Sequence, residues 1–119
     1  MVEKMYEISM LYDFYGQLLT ENQRSILESY YEDNFTLGEI AQEKGISRQG
    51  VHDTVRKAEK SLHHYEEKLG LVELFRQREA DIERADAAID AIITEHAADT
   101  ELVAGLTGVK NILSKLEEE

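Results

Sequence analysis

The sequence predicts an all-α protein, and three observations support that prediction. The 119-residue chain contains no proline, the residue that breaks long helices and fixes loop corners. No segment alternates apolar and polar residues with a period of two, and no Asn-Gly or Asp-Gly hairpin turn occurs. Apolar residues instead recur at steps of three and four along most of the chain, which is the period of a buried helical face.

The first 70 residues carry signals for four helices and for the breaks between them. A first helix is expected over about Lys4–Leu19. Capping boxes at Thr20–Gln23 and Thr36–Glu39 mark the starts of the second and third helices. Gly45 ends the third helix, and Ser47 caps the fourth. The positions expected to face the core are Met5, Ile8, Leu11, Tyr12, Tyr15, Ile26, Leu27, Tyr30, Tyr31, Val51, Val55, Ala58, Leu62 and Tyr65.

Residues 71–119 are expected to form an acidic helical hairpin, separate from a helix-turn-helix domain over residues 1–70. Gly70 closes or bends the fourth helix, and Asp99 and Thr100 offer a cap for the last one. A helix over about Leu71–Glu95 would be about 37 Å long. Its apolar seam either folds back on the last helix or meets a second copy, and we predict a homodimer. The seam consists of Phe75, Ile82, Ala85, Ile89 and Ile92.

Composition and charge exclude several classes of protein. The absence of cysteine excludes disulfides, thiolate metal sites and cysteine nucleophiles. With no long apolar stretch and no signal-peptide layout, we expect a cytoplasmic protein without a membrane role. The net charge of −12 repels polyanions at long range, so any nucleic-acid contact must use a local basic patch. The only sizeable one is Lys44–Lys60, with five basic and two acidic side chains.

The third and fourth helices, joined by a tight turn, have the layout of a helix-turn-helix. With Gly45 in the turn, the small Ala41 lies where the two helices cross, and Ile40, Ile46 and Val51 fall on the inner face. The fourth helix then presents its start to base edges and its later turns to phosphates. The residues expected to make these contacts are Ser47, Arg48, Gln49, His52, Arg56, Lys57 and Lys60.

Three residues depart from the usual helix-turn-helix pattern. Lys44 and Thr54 occupy positions that are commonly apolar. Gly50 lies inside the fourth helix, where glycine costs about 0.5–1 kcal/mol relative to alanine. These departures bear on how the motif docks more than on the fold.

Residues 19–69 resemble the DNA-binding region 4 of bacterial sigma factors. The shared pattern is L-T-x-x-Q-R, then T-L-x-E-I-A, then I-S-R-x-x-V. More closely, the chain resembles the YlxM family of small bacterial proteins over roughly residues 5–75, through DFYGQLLT, SYYEDNFTLGEIA, SRQGVHD and YEEKLGL. This resemblance implies a helix-turn-helix protein associated with the signal recognition particle pathway.

The predicted function is that of a non-enzymatic, DNA-binding regulatory protein. The sequence contains no glycine-rich phosphate loop, nucleophile motif or paired metal motif, and we expect no cofactor. Asp86 and Asp90 lie one helical turn apart and are interpreted as a solvated acidic face. The alternative is an interaction module that binds the protein or the RNA of the signal recognition particle without recognising duplex DNA.

Overall fold

A computed structural model describes residues 2–118, which form six α-helices and no strand. The all-α prediction is therefore confirmed. The chain separates into two compact units, the first ending at Val72 and the second beginning at Glu73. The helices are α1 (Val2–Tyr15), α2 (Glu21–Leu27), α3 (Leu37–Lys44), α4 (Arg48–Leu69), α5 (Leu71–Glu95) and α6 (Thr100–Glu118).

Both predicted capping boxes are confirmed at the starts of α2 and α3. Thr20 Oγ1 accepts from the N–H of Gln23, whose side chain accepts in turn from the N–H of Thr20, both at 3.1 Å. Thr36 and Glu39 repeat the same reciprocal pair at 3.1 Å. Each box satisfies two backbone donors that would otherwise lack partners at a helix N-terminus.

Glycines in the left-handed conformation end α3 and α4, as predicted. Gly45 ends α3 with φ 70°, and Gly70 ends α4 with φ 62°. A side chain at such a φ clashes with the backbone, which is why glycine is favoured there. Asn34, which tolerates this conformation better than most residues, reverses the chain after α2 with φ 56°.

The first helix is shorter than predicted. It ends at Tyr15, and Gly16–Leu18 continue as a single 3₁₀ turn. The ring of Tyr12 packs directly on Gly16, where an added Cβ would lie 3.0 Å from the ring. The N–H of Leu19 donates to the carbonyl of Gly16 at 3.1 Å, and this turn carries the Leu19 side chain into the core.

The core of the first unit is formed by apolar residues from α1–α4 together with Val72 at the start of α5. Most of the predicted core positions are buried, and the tyrosines at 12, 30, 31 and 65 pack against them partly buried. Met5 and Ile46 are exceptions, with 42% and 44% of their surface exposed. Ile46 lies in the α3–α4 turn, where its N–H donates to the carbonyl of Ala41 and its side chain projects over Gly50 instead of inward.

Three tyrosine–glutamate hydrogen bonds connect the helices of the first unit. Each hydroxyl donates to a carboxylate on another segment, a charge-assisted bond stronger than a neutral one. Burial and the adjacent carboxylate raise the pKa of Tyr12 to about 12, so its hydroxyl remains a donor far above neutral pH. The pairs are Tyr12–Glu28, Tyr15–Glu66 and Tyr31–Glu59.

The second unit is the predicted hairpin of α5 and α6. Lys110 on α6 donates to Asp90 and lies 3.8 Å from Asp86, both on α5. These acids, interpreted from the sequence as a solvated face, thus form an ion-pair cluster between the helices, although they remain partly exposed. The pKa of Lys110 is raised, chiefly by its hydrogen bond to Asp90. Of the two predicted caps, Asp99 is the one that caps α6, accepting from the N–H of Leu102 at 3.1 Å.

The predicted dimer seam lies on α5 within this hairpin. Three of its residues, Phe75, Ile82 and Ile89, are half-buried, whereas Ala85 and Ile92 are exposed. Ile82 lines a cleft between the two helices together with Leu113 of α6. Part of the seam therefore faces the chain's own last helix, and its role in a dimer stays a prediction.

Candidate nucleic-acid interface

The turn between α3 and α4 is held by local hydrogen bonds. The N–H of Ile46 donates to Ala41 across Gly45, and Ser47 Oγ accepts from the N–H of Gly50 at 2.9 Å to begin α4. An added Cβ on Gly50 would lie 3.2 Å from this hydroxyl oxygen. Glycine inside the helix, an apparent defect in the sequence, thus leaves room for the cap.

The interior of the motif matches the helix-turn-helix interpretation. Ile40, Ala41 and Val51 are buried between α3 and α4, as predicted. Lys44 does not replace an apolar core residue, because its ammonium group lies at the surface and donates to Ser25 Oγ at 2.7 Å. Thr54 satisfies its hydroxyl within α4 by donating to the carbonyl of Gly50 at 3.0 Å.

All the predicted contact residues lie on or at the start of α4. Ser47 is committed to capping, and His52 is half-buried. The amide of Gln49 donates to Asp53 at 3.0 Å, an exposed hydrogen bond that a ligand can replace. Exposed basic side chains supply the charge of this face, and they are Arg48, Arg56, Lys57 and Lys60.

An open groove of about 780 Å³ runs beside α4 and widens this face. It is bounded by α1, by the π-helical turn Glu28–Glu32 and by α4. From His52 to His63 it follows α4 for about 17 Å, the length of about five phosphates of one strand. Its cationic and imidazole side chains are Lys4, His52, Arg56, Lys57, Lys60 and His63.

Lys4 is a basic residue of this groove that the sequence did not reveal. Its ammonium group lies 3.5 Å from the carboxylate of Glu59, which also accepts from Tyr31. Glu59 is largely buried, whereas Lys4 is 65% exposed, so the lysine can offer its remaining donors to a ligand. No local motif marks Lys4, because the groove forms only when α1 packs beside α4.

Glu59 is an acid in the middle of the basic face. Burial, followed by the hydrogen bond to Glu59, raises the pKa of the Tyr31 hydroxyl well above its usual range. The tyrosine therefore stays neutral and donates one hydrogen bond, while Lys4 neutralises the carboxylate. Lys4 thereby offsets part of the repulsion that Glu59 would exert on an incoming phosphate.

Two imidazoles lie beside carboxylates, His52 at 4.0 Å from Asp53 and His63 at 3.7 Å from Glu7.

Within residues 2–118 no group of three or more His, Asp or Glu side chains is placed to hold a metal ion. None of the helices in that part of the chain is long and apolar enough to cross a membrane.

The capped turn, the buried crossing of α3 on α4 and the exposed basic start of α4 define a helix-turn-helix protein. Residues 2–101 match the model of the UPF0122 family, described as "Putative helix-turn-helix protein, YlxM / p13 like". The chain belongs to this family. A helix-turn-helix family with an all-helical fold points to a non-enzymatic protein.

Curated relatives cover nearly the full chain. A UPF0122 protein from Desulforamulus reducens is 39% identical over 99% of this chain and 97% of its own length. One from Geobacillus kaustophilus is 45% identical over 87% of this chain and 92% of its own. One from Listeria innocua is 40% identical over 94% of this chain and 99% of its own.

Proposed function

We propose that this protein is a non-enzymatic regulator that binds nucleic acid, preferentially duplex DNA, through α4. The observation that carries the proposal is the coincidence of two features on one helix. α4 is the second helix of a capped helix-turn-helix, and it carries four of the five basic side chains in the window Lys44–Lys60. In this fold that helix enters the major groove and its first residues meet base edges.

Each residue has a proposed role that follows from its place on α4. Arg48 and Gln49, in the first turn, reach base edges, where arginine pairs with guanine and glutamine with adenine. His52 lies one turn further on the same side. Arg56, Lys57 and Lys60 meet phosphates along the groove, which position the protein without reading sequence. Lys4 adds a contact from α1.

Net charge limits this binding to specific or short-range contact. A chain at −12 is repelled by a polyanion at distances where individual contacts do not act. Phosphate neutralisation supplies most non-specific affinity, so we expect weak binding to random duplex. We also propose a homodimer, because one recognition helix reads few base pairs and two copies double the half-sites.

The test replaces Arg48, Gln49 and Arg56 with alanine in the full chain. Binding to duplex DNA selected from a random library is measured by fluorescence anisotropy across a salt series. We expect affinity to fall and the slope of log K against log salt to decrease by about 1, since Arg56 is the one phosphate contact of the three. Helical circular dichroism should not change. Unchanged affinity at low salt would refute the assignment.

The chain offers a matched control on α5. Arg76, Gln77 and Arg78 have the same three residue types and are exposed. Gln77 donates to Glu73 four residues earlier, much as Gln49 donates to Asp53 four residues later. Alanine at these three positions removes the same charge and should lower affinity by less than about twofold at low salt, the size of a long-range charge effect. Equal losses in the two variants would mean that net charge, and not α4, governs binding.

The acidic surplus favours a second candidate, an interaction module for the signal recognition particle. A protein surface needs no phosphate contact and suits a chain with this charge, whereas the particle's RNA would have to use the same basic face of α4. The same salt series with the particle's RNA and its protein separates the two functions. Binding to either without affinity for selected duplex DNA would replace the first proposal by the second.

A further inference from the structure

The hairpin formed by α5 and α6 lacks a core of its own. Between Glu73 and Glu117 no side chain is buried, whereas the first unit holds every buried apolar residue of the described chain. Helices obtain most of their stability from packing an apolar face, and two helices alone cover little of it. The hairpin therefore requires another surface to complete its packing.

α6 carries two apolar stripes, and only one of them faces α5. The inner stripe, Val103, Leu106 and Leu113, is half-buried and shares its side with Lys110, which pairs with α5. The outer stripe lies about 90° further round the helix, given 3.6 residues per turn. Its large members recur at steps of seven, three and four residues, the spacing of a helix–helix contact. They are Leu102, Val109, Ile112 and Leu116, between 36% and 60% exposed.

We propose that the outer stripe of α6 is the surface through which two copies of this chain associate, in place of the α5 seam. This inference rests on the proposed homodimer and identifies its interface. Two hairpins joined through α6 give a four-helix bundle, the simplest arrangement that encloses both apolar stripes. The contact is isologous, because the same stripe lies on both sides of a two-fold axis.

Charge favours a second copy at α6 and disfavours one at α5. α6 carries two lysines and three glutamates, so two copies meet with nearly balanced charge. α5 carries seven acidic residues and three arginines, and pairing it with itself would bring like charges together. In an antiparallel pair Lys115, near the end of α6, approaches the partner's first turn, where Glu101 lies.

The size of the stripe sets the expected strength of the dimer. One side of α6, about 28 Å long and about 10 Å wide, covers a projected area of about 280 Å². That is less than the roughly 800 Å² per partner of a standard interface. We therefore expect dissociation in the micromolar range. Because both hairpins are acidic, added salt should strengthen association by screening the repulsion between them.

The experiment measures the mass of the full chain by sedimentation velocity between 1 and about 200 μM. The wild type should approach twice 13.7 kDa. Val109→Asp with Ile112→Asp should raise the dissociation constant about 100-fold or more, because each would bury an unpaired charge. Thr107→Asp with Asn111→Asp adds the same charge to the other side of α6 and should leave the dimer intact.

A second measurement does not depend on the stability of the aspartate variants. The chain has no cysteine, so a single introduced thiol reports one contact. Val109 lies at the middle of the stripe, close to the proposed two-fold axis. Val109→Cys should form a disulfide-linked dimer under mild oxidation, and Thr107→Cys should not.

Each outcome decides between the proposals. A monomeric wild type at about 200 μM overturns both the homodimer and this interface, and leaves nucleic-acid binding by α4 untouched. A dimer that survives Val109→Asp with Ile112→Asp, or that crosslinks equally through residue 107, retains the homodimer and overturns the α6 interface. A dimer lost on Ile82→Asp with Ile89→Asp, while both α6 tests fail, returns the contact to the α5 seam.

Discussion

Replacing Tyr15 by phenylalanine should destabilise the first unit more than any other single tyrosine-to-phenylalanine change. Tyr15 is 1% exposed, and its hydroxyl serves two partners. It donates to Glu66 near the end of α4 and accepts from the N–H of Leu71 at 3.0 Å. The same Glu66 oxygen accepts from the N–H of Val72 at 3.0 Å. Tyr15 and Glu66 together thus cap the start of α5.

The size of the destabilisation follows from the hydrogen bonds that are lost with the Tyr15 hydroxyl. A hydrogen bond to a charged group contributes about 1.5–3 kcal/mol, and a backbone N–H that loses a buried partner adds to the cost. Leu71 is exposed, so water replaces part of the second bond. We expect a loss of about 3 kcal/mol in the free energy of unfolding. For a unit of this size that lowers the melting temperature by roughly 10 °C or more.

Thermal and urea unfolding, followed by circular dichroism at 222 nm, measure the loss. Tyr6→Phe is the matched control, because Tyr6 is 62% exposed, and it should leave the melting temperature unchanged. Glu66→Gln keeps an oxygen acceptor without its charge and should cost about 1 kcal/mol. If Tyr15→Phe melts with the wild type, the hydroxyl does not hold α5 to the core and the reasoning is refuted.

Two further predictions concern pH and backbone conformation. The pKa values of Tyr12, Tyr15 and Tyr31 are raised in the folded state, so these tyrosines ionise first in the unfolded chain as pH rises. The free energy of unfolding should therefore be constant below pH 10 and fall as pH rises towards 12. Urea unfolding at pH 7, 10 and 11 measures this change, and a flat profile would contradict it. Gly45→Ala should cost about 1–2 kcal/mol because of its φ of 70°, whereas Gly38→Ala, in the first turn of α3, should stabilise by up to about 1 kcal/mol; equal urea midpoints would show that the left-handed turn is not required.

The sequence alone predicted those structural features that depend on residues within about four positions of one another. A capping box such as Thr36–Glu39 and a helix-ending glycine such as Gly45 depend only on neighbouring backbone groups, so their residue types identify them. The period of α4 likewise predicts its buried face, since Val51, Val55 and Leu62 follow one stripe. The helix-turn-helix interpretation rests on these local signals.

The features that the sequence did not reveal depend on contacts between distant segments. Tyr15 and Glu66 are 51 residues apart, and nothing local indicates that they meet. Lys4 reaches the groove only through the packing of α1. Ile46 was predicted to lie on the inner face from its place directly after Gly45 in the helix-turn-helix pattern, but its side chain is directed outward, 44% exposed. Periodicity indicates that a face is apolar without identifying what covers it.

Neutralising acids of the hairpin should strengthen nucleic-acid binding without altering the interface. The variant Glu79→Gln, Glu83→Gln, Glu95→Gln and Glu117→Gln raises the net charge of the full chain by four and keeps good helix formers. Unit charges 20–30 Å apart in water interact by only about 0.15–0.2 kcal/mol, so four acids each acting on one phosphate charge amount to about 0.7 kcal/mol, or roughly a threefold gain at low salt.

That gain should disappear above about 0.15 M salt, where screening is effective beyond about 8 Å. The matched control places four glutamines at Glu21, Glu32, Glu43 and Glu67, exposed acids of the first unit. This control removes the same four negative charges from the first unit, which carries α4. Its affinity at low salt shows how much the gain depends on where the charges are removed. A gain from the hairpin variant that persists at high salt would exclude long-range repulsion as its cause. No gain at low salt would show that the acids of residues 71–119 do not oppose binding.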